Sequence, residues 1–279
     1  MWQSSYDGKP TLYLVPTPIG NLDDMTYRSI KILGEVSVIF SEDTRVTSIL
    51  LNHFLIKKKL ISLHEHNEEV VKTKVVDFLK KGESVALVTD RGTPIISDPG
   101  YKTVKAVSEC GFNVVALPGA CAFVPALIVS GISSQPFLFY GFLNSKEGHK
   151  KKELSELKYV KSTIIFYEAP HRIFKTLELI LEIFGDRNIS LSREISKRFE
   201  SVYRGSVSNL LNCLGDIKGE YVIVIEGYND DNSVSELSIL DNVNLYINNG
   251  MDTMDAIKRV ARERKVAKSI IYGEYHKGR

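Results

Sequence analysis

The chain has 279 residues, 43% of them apolar and 25% charged, and a formal net charge of +2. That size and balance predict about two compact domains with real cores and exclude a disordered or polycationic chain. Three scattered cysteines, Cys110, Cys121 and Cys213, with no CxxC or Cys/His cluster, argue for reduced thiols rather than a disulfide framework or a zinc site. No apolar run reaches the roughly 18–20 residues of a membrane span. The start, MWQSSYDGKP, holds no apolar signal core, so a cytoplasmic protein is expected.

The first half alternates strand and helix. Thr11–Val15 reads as a short strand running into PTPIGNLDD. Tyr27, Ile30 and Leu33 then have helical spacing, with Gly34 placed just past the helix end. Val36–Phe40 is the next strand, followed by SEDTR and a helix with Val46, Ile49, Leu50 and Phe54 on one face. Leu60–Leu63 leads into HEHNE, and Val70, Val71, Val75, Phe78 and Leu79 mark a helix closed by Gly82. Val85–Val88 has the β-branched content of a buried strand and breaks into TDRGTPIISDPG. Tyr101, Val104 and Val107 continue as helix to Gly111, and Phe112–Leu117 is a strand ending at PGACA. Repeated β-loop-α predicts a mostly parallel sheet with helices on its faces.

A break falls at GISSQP, residues 131–136. Beyond it the strands are longer: Phe137–Leu143, Thr163–Tyr167, Ile189–Arg193 and Tyr221–Glu226, with a helix at Ile173–Phe184 that stops at Gly185. These predict a second α/β domain with a mixed sheet. A polar linker, YNDDNSVSE, follows Gly227. Helices at Thr253–Arg264, with Asp252 as N-cap and Asp255 three residues on, and at Ala267–Tyr275 complete a tail. The expected division is 1–132, 133–230 and a helical tail 231–279.

Polar residues bunch just after the apolar strands. Pro16, Pro18, Gly20 and Asn21 follow the first strand; Glu42, Asp43 and Arg45 the second; His64, His66 and Asn67 the third. In TDRGTPIISDPG, Gly92 and Gly100 allow backbone to approach a ligand, and Pro94 and Pro99 stiffen the loop. A parallel sheet gathers such strand ends along one edge, making one wall of a ligand cleft. The chain has no GxxxxGK[ST] and no GxGxxG opening a helix, which argues against a nucleotide hydrolase. His64 and His66, at i and i+2, point the same way if extended, but a metal would need further ligands, so polar or substrate-contacting histidines are expected. Glu42–Asp43 reads as a general base pair or as helix caps. In FYEAPHR a strand ends at Glu168, and Pro170 opens a helix carrying His171 and Arg172 at its positive end. Arg172 there suits a phosphate or an ordinary salt bridge. Arg193, Glu194, Lys197 and Arg198 line the cleft or pair with one another. Basic clusters at Lys57–Lys59, Lys146 with Lys150–Lys152, and Lys258–Lys268 gain meaning only around one cleft.

The ordered series PTPIGNL, SEDTR, HEHNE, TDRGTPIISDPG, LPGACA, FYEAPHR, SREISKRFE and GEYVIVIEG resembles the ribosomal RNA small subunit methyltransferase I family, within the tetrapyrrole methylase superfamily, from about Leu12 to Gly227. The resemblance implies two α/β domains around a cofactor cleft, S-adenosylmethionine as cofactor without metal, and a homodimer. It also implies 2′-O-methylation of a cytidine in the decoding region of 16S rRNA. Cofactor contacts are implied at Pro16, Pro18 and Gly20; at Arg91, Gly92, Thr93 and Ile96; at Gly119, Ala120 and Ala122; at Tyr167 and Glu168; and at Gly219, Glu220 and Tyr221. Where the family commonly reads SDAGTP, this chain has Thr89 and Arg91, and Asn144 stands where a proline often follows GFL. A ribose hydroxyl is a poor nucleophile at neutral pH, so a proton acceptor is expected, with Asp43, Glu42 and His64 the candidates in that order. Arg45, Arg172, Lys150, Lys151 and Lys152 would hold phosphates and Asn67 would read a base or ribose edge, with the target nucleotide drawn from its stack. Arg91 is expected at the cleft rim on an anion, either the cofactor carboxylate or an RNA phosphate. The rival readings are a precorrin-type tetrapyrrole methylase and an RNA-binding protein whose pocket Arg91 blocks.

Overall fold

A computed structural model describes residues 2–5, 7–215, 218–229, 238–248, 250–264 and 266–277. The apolar runs form two five-stranded sheets. The first contains β1 (Thr11–Leu14), β2 (Val38–Ser41), β3 (Lys59–Ser62), β4 (Val85–Val88) and β5 (Asn113–Ala116), in the order β3-β2-β4-β1-β5. Every pairing in it is parallel. Successive side chains of a strand point to opposite faces, and both faces are filled. Leu12, Phe40 and Leu87 join Val71, Val75, Leu79 and Val107 from α3 (Glu68–Lys80) and α4 (Tyr101–Glu109). Their neighbours Ile39, Ala86 and Val88 turn the other way, onto Leu33 and Leu51 of α1 (Tyr27–Glu35) and α2 (Thr44–His53).

Two helices differ from the expected reading. The helix α1 runs through Gly34 to Glu35, with the Val36 N–H closing on the Ile32 carbonyl. Gly34 is exposed there, so its missing side chain costs no packing. In α2 the buried positions are Thr47 and Leu51, while Ile49 is 73% exposed. Asp43 caps the helix and fixes where it starts, which rotates its inner face one residue past Val46.

The second sheet contains β6 (Phe137–Phe142), β7 (Thr163–Glu168), β8 (Asn188–Arg193), β9 (Ser201–Ser206) and β10 (Tyr221–Ile225), ordered β6-β7-β10-β8-β9. Only β6 and β7 run parallel, so the sheet is mixed, as expected. The edge strand β9, SVYRGS, and the short helix α8 (Val207–Cys213) escaped sequence reading because neither carries an apolar run long enough to show periodicity. The helices α6 (Glu147–Leu157) and α7 (Pro170–Phe184) complete this half. The helix α5 (Phe123–Val129) precedes GISSQP in the chain, yet its Ala126 and Leu127 pack with Ile165, Val222 and Val224 of the second sheet.

The chain separates into two compact units, one running through Lys158 with Ser162–Glu226 and the other comprising Tyr159–Lys161 and Gly227 onward. Both sheets lie in the first. In the second, Tyr228 N–H bonds the Val160 carbonyl at 2.7 Å. The helices α9 (Ile239–Asn248), α10 (Thr253–Glu263, capped by Asp252) and α11 (Lys268–Lys277) bury Val243, Ile257, Val260, Ile271 and Tyr275 together. Residues 230–237, which include most of the expected linker, and Lys265 of the last basic cluster lie outside the described residues. Among the described residues no helix is long and apolar enough to cross a membrane.

Gly100 begins α4 with φ +132°, and a Cβ there would lie 2.8 Å from Leu87 Cδ2 and 3.0 Å from Ile95 Cγ1. Gly100→Ala should therefore destabilise by about 1–3 kcal/mol through overpacking, read as a lower denaturant midpoint with an unchanged m-value.

Candidate functional site

Parallel pairing places the carboxyl ends of β1, β2, β4 and β5 on one edge of the first sheet. On the second sheet, Glu168 at the end of β7 pairs with Tyr221 at the start of β10, which in turn pairs with Arg193 at the end of β8. Together these loops and strand ends enclose a cavity of about 700 Å³. The first half contributes Ile19, Glu42, Val46, the segment Thr89–Thr93, Ile96–Asp98, and Cys121–Ala122. The second contributes Phe142, Tyr167–His171, Ile195 and Glu220–Val222.

Many positions expected at the cofactor line this cavity: Arg91, Gly92, Thr93, Ile96, Ala122, Tyr167, Glu168, Glu220 and Tyr221. Others stand behind it. Thr17 and Gly92 exchange backbone hydrogen bonds at 2.9 Å, which ties the loop holding Pro16 and Pro18 to the loop after β4. The Thr93 hydroxyl donates to the Ala120 carbonyl at 2.9 Å. A Cβ at Gly119 would lie 2.6 Å from Pro16 Cβ, so the two loops touch only because that residue is glycine. Gly20 backs onto the Lys197 side chain and Gly219 onto Glu194. Tyr167 accepts from the Phe123 N–H at 3.2 Å, and burial pushes its phenol pKa up, so it stays neutral.

Arg91 lies at the rim, 58% exposed, and leaves the cavity open. Its guanidinium pairs with Glu220 from the opposite sheet, so its anion in this structure is a protein carboxylate. Glu220 also receives Lys197 at 2.7 Å, and Lys197 reaches Glu194 at 2.9 Å. Ser196 bonds Asp24 across the same mouth.

The proposed acid–base residues separate. Glu42 lines the cavity and accepts from the Thr89 hydroxyl at 3.1 Å. Asp43 does not line it: the carboxylate caps α2 through the Arg45 N–H at 2.8 Å and grips the Arg45 guanidinium at 2.6 and 3.0 Å. Those bonds hold its pKa at about 2, so it is committed to the helix start. His64 also lies off the cavity wall. HEHNE forms a turn rather than an extended segment, with the His64 carbonyl accepting from Asn67 and Glu68 N–H. The His64 and His66 rings sit 6.0 Å apart. Among the described residues no His/Cys/Asp/Glu cluster could hold a metal.

The expected phosphate and base contacts also divide. Asn67 braces the turn, accepting from His64 N–H at 2.9 Å and donating to the Ser62 carbonyl at 3.1 Å. Lys150 is not on a solvated face. Its side chain is 4% exposed, with the ammonium 3.2 Å from Glu168 and 2.6 Å from the Thr176 hydroxyl. Glu168 is enclosed by Lys150, Thr176 and Arg172, whose Nε lies 3.0 Å from it. Arg172 also donates to the Leu143 and Asn144 carbonyls, strapping β6 to β7. Lys151 pairs with Glu182 at 3.1 Å. Arg45, Lys146 and Lys152 remain exposed. Asp98 was missed in the sequence. It lines the cavity, and burial followed by the nearby charge of Glu42 raises its pKa to about 6. Its only signal was membership of TDRGTPIISDPG, where prolines and glycines draw attention to backbone.

Residues 11–211 match the family described as Tetrapyrrole (Corrin/Porphyrin) Methylases. The chain is similar to Ribosomal RNA small subunit methyltransferase I of Bacillus subtilis (strain 168), 46% identical with 98% of each chain covered. It is similar too to the protein of that name from Vibrio cholerae serotype O1, 45% identical with 80% of each covered. The chain belongs to the ribosomal RNA small subunit methyltransferase I family. Members of this family are methyltransferases and require a methyl donor. Uroporphyrin-III-C-methyltransferase from Thermus thermophilus superposes with a TM-score of 0.56 at 18% identity, covering 78% of this chain and 94% of that one. A cobalt precorrin-4 methyltransferase gives 0.57 at 18%, covering 77% and 94%. At that identity the likeness speaks for the fold alone.

Two outcomes follow from the buried charges and the cap. Glu168→Gln leaves Lys150 and Arg172 without their shared anion and should cost roughly 3–5 kcal/mol in denaturant unfolding. Asp43→Ala should lower Tm by a few degrees, whereas Asp43→Asn, which still caps but loses the exposed ion pair with Arg45, should lower it less. Because the Asp43 pKa is lowered on folding, its contribution is present above about pH 4 and is lost as pH falls through about 2.

Proposed function

We propose that the chain transfers a methyl group from S-adenosylmethionine to the ribose 2′-hydroxyl of a cytidine in the decoding region of 16S rRNA. The observation that carries this reading is a cavity of about 700 Å³ at the meeting of two sets of strand ends, in a chain whose relatives are named for the small-subunit ribosomal RNA. The volume falls within the roughly 300–1,000 Å³ of cofactor pockets. The lining also suits this donor. Ile19, Val46 and Val222 give apolar wall, and Glu42 and Asp90 give anionic floor toward a cation. Gly119 keeps the Pro16 loop close enough to shape one side.

The donor, when bound, supplies an electrophilic methyl group on a positively charged sulfur. The chain supplies alignment, which is worth several powers of ten in rate. Thr93 pins its loop to Ala120, and Thr17 pins the neighbouring loop to Gly92. The apolar wall excludes water from the reacting hydroxyl. Exposed Arg45, Lys146 and Lys152 are the groups here that can meet phosphates without breaking buried pairs. Arg91, turned to Glu220, argues against a blocked pocket. A homodimer is part of the same reading.

Purified protein should bind S-adenosylmethionine by calorimetry in the presence of a chelator. It should also transfer labelled methyl to small subunits from cells lacking the gene. The label should appear as one 2′-O-methylcytidine, identified by resistance of the adjacent phosphodiester to alkali and by mass spectrometry. Label on a base, or transfer to a tetrapyrrole precursor instead of RNA, would overturn the reading.

A further inference from the structure

The loop between β4 and α4 carries two non-glycine residues in the left-handed region, Ile95 at φ +76° and Ser97 at φ +70°. A β-branched residue there is strained, and such strain collects where surrounding structure must hold a group in place. The backbone held this way presents Ile96, Ser97 and Asp98 to the cavity. The Thr89 hydroxyl, from the end of β4, donates to Glu42 at 3.1 Å and lies close enough to Asp98 to act on its carboxyl. Its one proton can go to only one carboxylate at a time, and Glu42 holds it in this structure, next to Asp98.

Apart from Glu42, which holds the Thr89 hydroxyl, the other acidic groups around the site are committed. Asp43 caps α2 and holds Arg45, and Asp90 accepts the Asp43 N–H at 3.0 Å. Glu168 is enclosed by Lys150 and Arg172, and Glu220 by Arg91 and Lys197. Among the described ion pairs none includes Asp98.

We propose that the Asp98 carboxylate accepts the ribose 2′-hydroxyl proton during methyl transfer. This rests on the reading above that a ribose hydroxyl receives the methyl group. The hydroxyl O–H bond breaks and its proton goes to an Asp98 oxygen. The ribose oxygen forms its bond to the methyl carbon as the carbon–sulfur electron pair stays on sulfur. One positive and one negative charge are lost together, and the Asp98 proton then leaves to solvent. Glu42, bonded to the same Thr89 hydroxyl, acts through Asp98 as a positioning residue.

Asp98 must be ionised to accept the proton, so the rate should fall as pH drops through about 6. Burial and then the Glu42 charge raise the Asp98 value, Asp90 adds to it, and the Thr89 hydrogen bond opposes it. The remaining titratable groups facing the cavity are Arg91 and Glu220, paired with each other, Cys121, the neutral Tyr167, the paired Glu168, and His171.

The test compares the parent protein, Asp98→Asn and Glu42→Gln in three measurements. These are single-turnover methylation of small subunits from pH 5 to 8, calorimetric binding of S-adenosylmethionine, and carboxyl titration by ¹³C NMR. Asp98→Asn should bind the donor within a few-fold of the parent, lose about 100-fold or more in rate, and lack the carboxyl that titrates near pH 6. Glu42→Gln should move both the acid limb and that NMR titration to lower pH. If Asp98→Asn does not fold, the Glu42→Gln shift decides alone, and an unmoved limb overturns the inference. A parent-like rate and limb in Asp98→Asn would overturn the role of Asp98 and leave ribose methylation standing. A parent protein that binds donor yet methylates no ribose would remove both.

Discussion

Parallel pairing of very short strands is the constraint on which the site depends. With four residues each, β1, β2, β4 and β5 have no length to spare for function, so chemistry moves into the loops at their carboxyl ends. Because all run the same way, those loops share an edge. The second sheet reaches the same place by a different route. Its antiparallel register sets the start of β10 beside the ends of β7 and β8, so a strand beginning and two strand ends supply the facing wall.

Charge then divides into what braces and what stays available. Glu168 receives Lys150, Arg172 and Thr176 under the cavity wall, where leaving any one unmatched would be costly. At the rim, Arg91 and Glu220 are each 58% exposed, so their pair is worth at most about 1 kcal/mol. The interior brace is firm and the rim contact is weak. A molecule entering the cleft can displace the second without disturbing the first.

The fold was legible because hydrophobic period and glycine or proline punctuation are local signals. All five strands of the first sheet were placed to within two residues, and β9 in the second was missed because its edge position needs no apolar run. The site was legible as a set of loops and less so as side chains. Lys150 reads as one of three adjacent lysines, yet helical rotation buries it and leaves Lys152 outside. Asn67 and Asp43 look like presented polar groups, but each is spent on backbone within five residues of itself. Asp98 looks like loop filler between serine and proline. Its environment is made by Thr89 at the other end of its loop and by Glu42, which is distant in the chain.

The left-handed backbone at Ile95 and Ser97 has a consequence for attempts to harden this protein. Glycine at either position would relieve torsional energy in the folded chain, yet it would also give the loop freedom that the present side chains deny it. Any net gain in melting temperature would then come with a cavity floor less sharply defined. Variants selected for thermal endurance and variants selected for turnover should therefore diverge at these two positions, with the least comfortable backbone kept by the fastest catalysts.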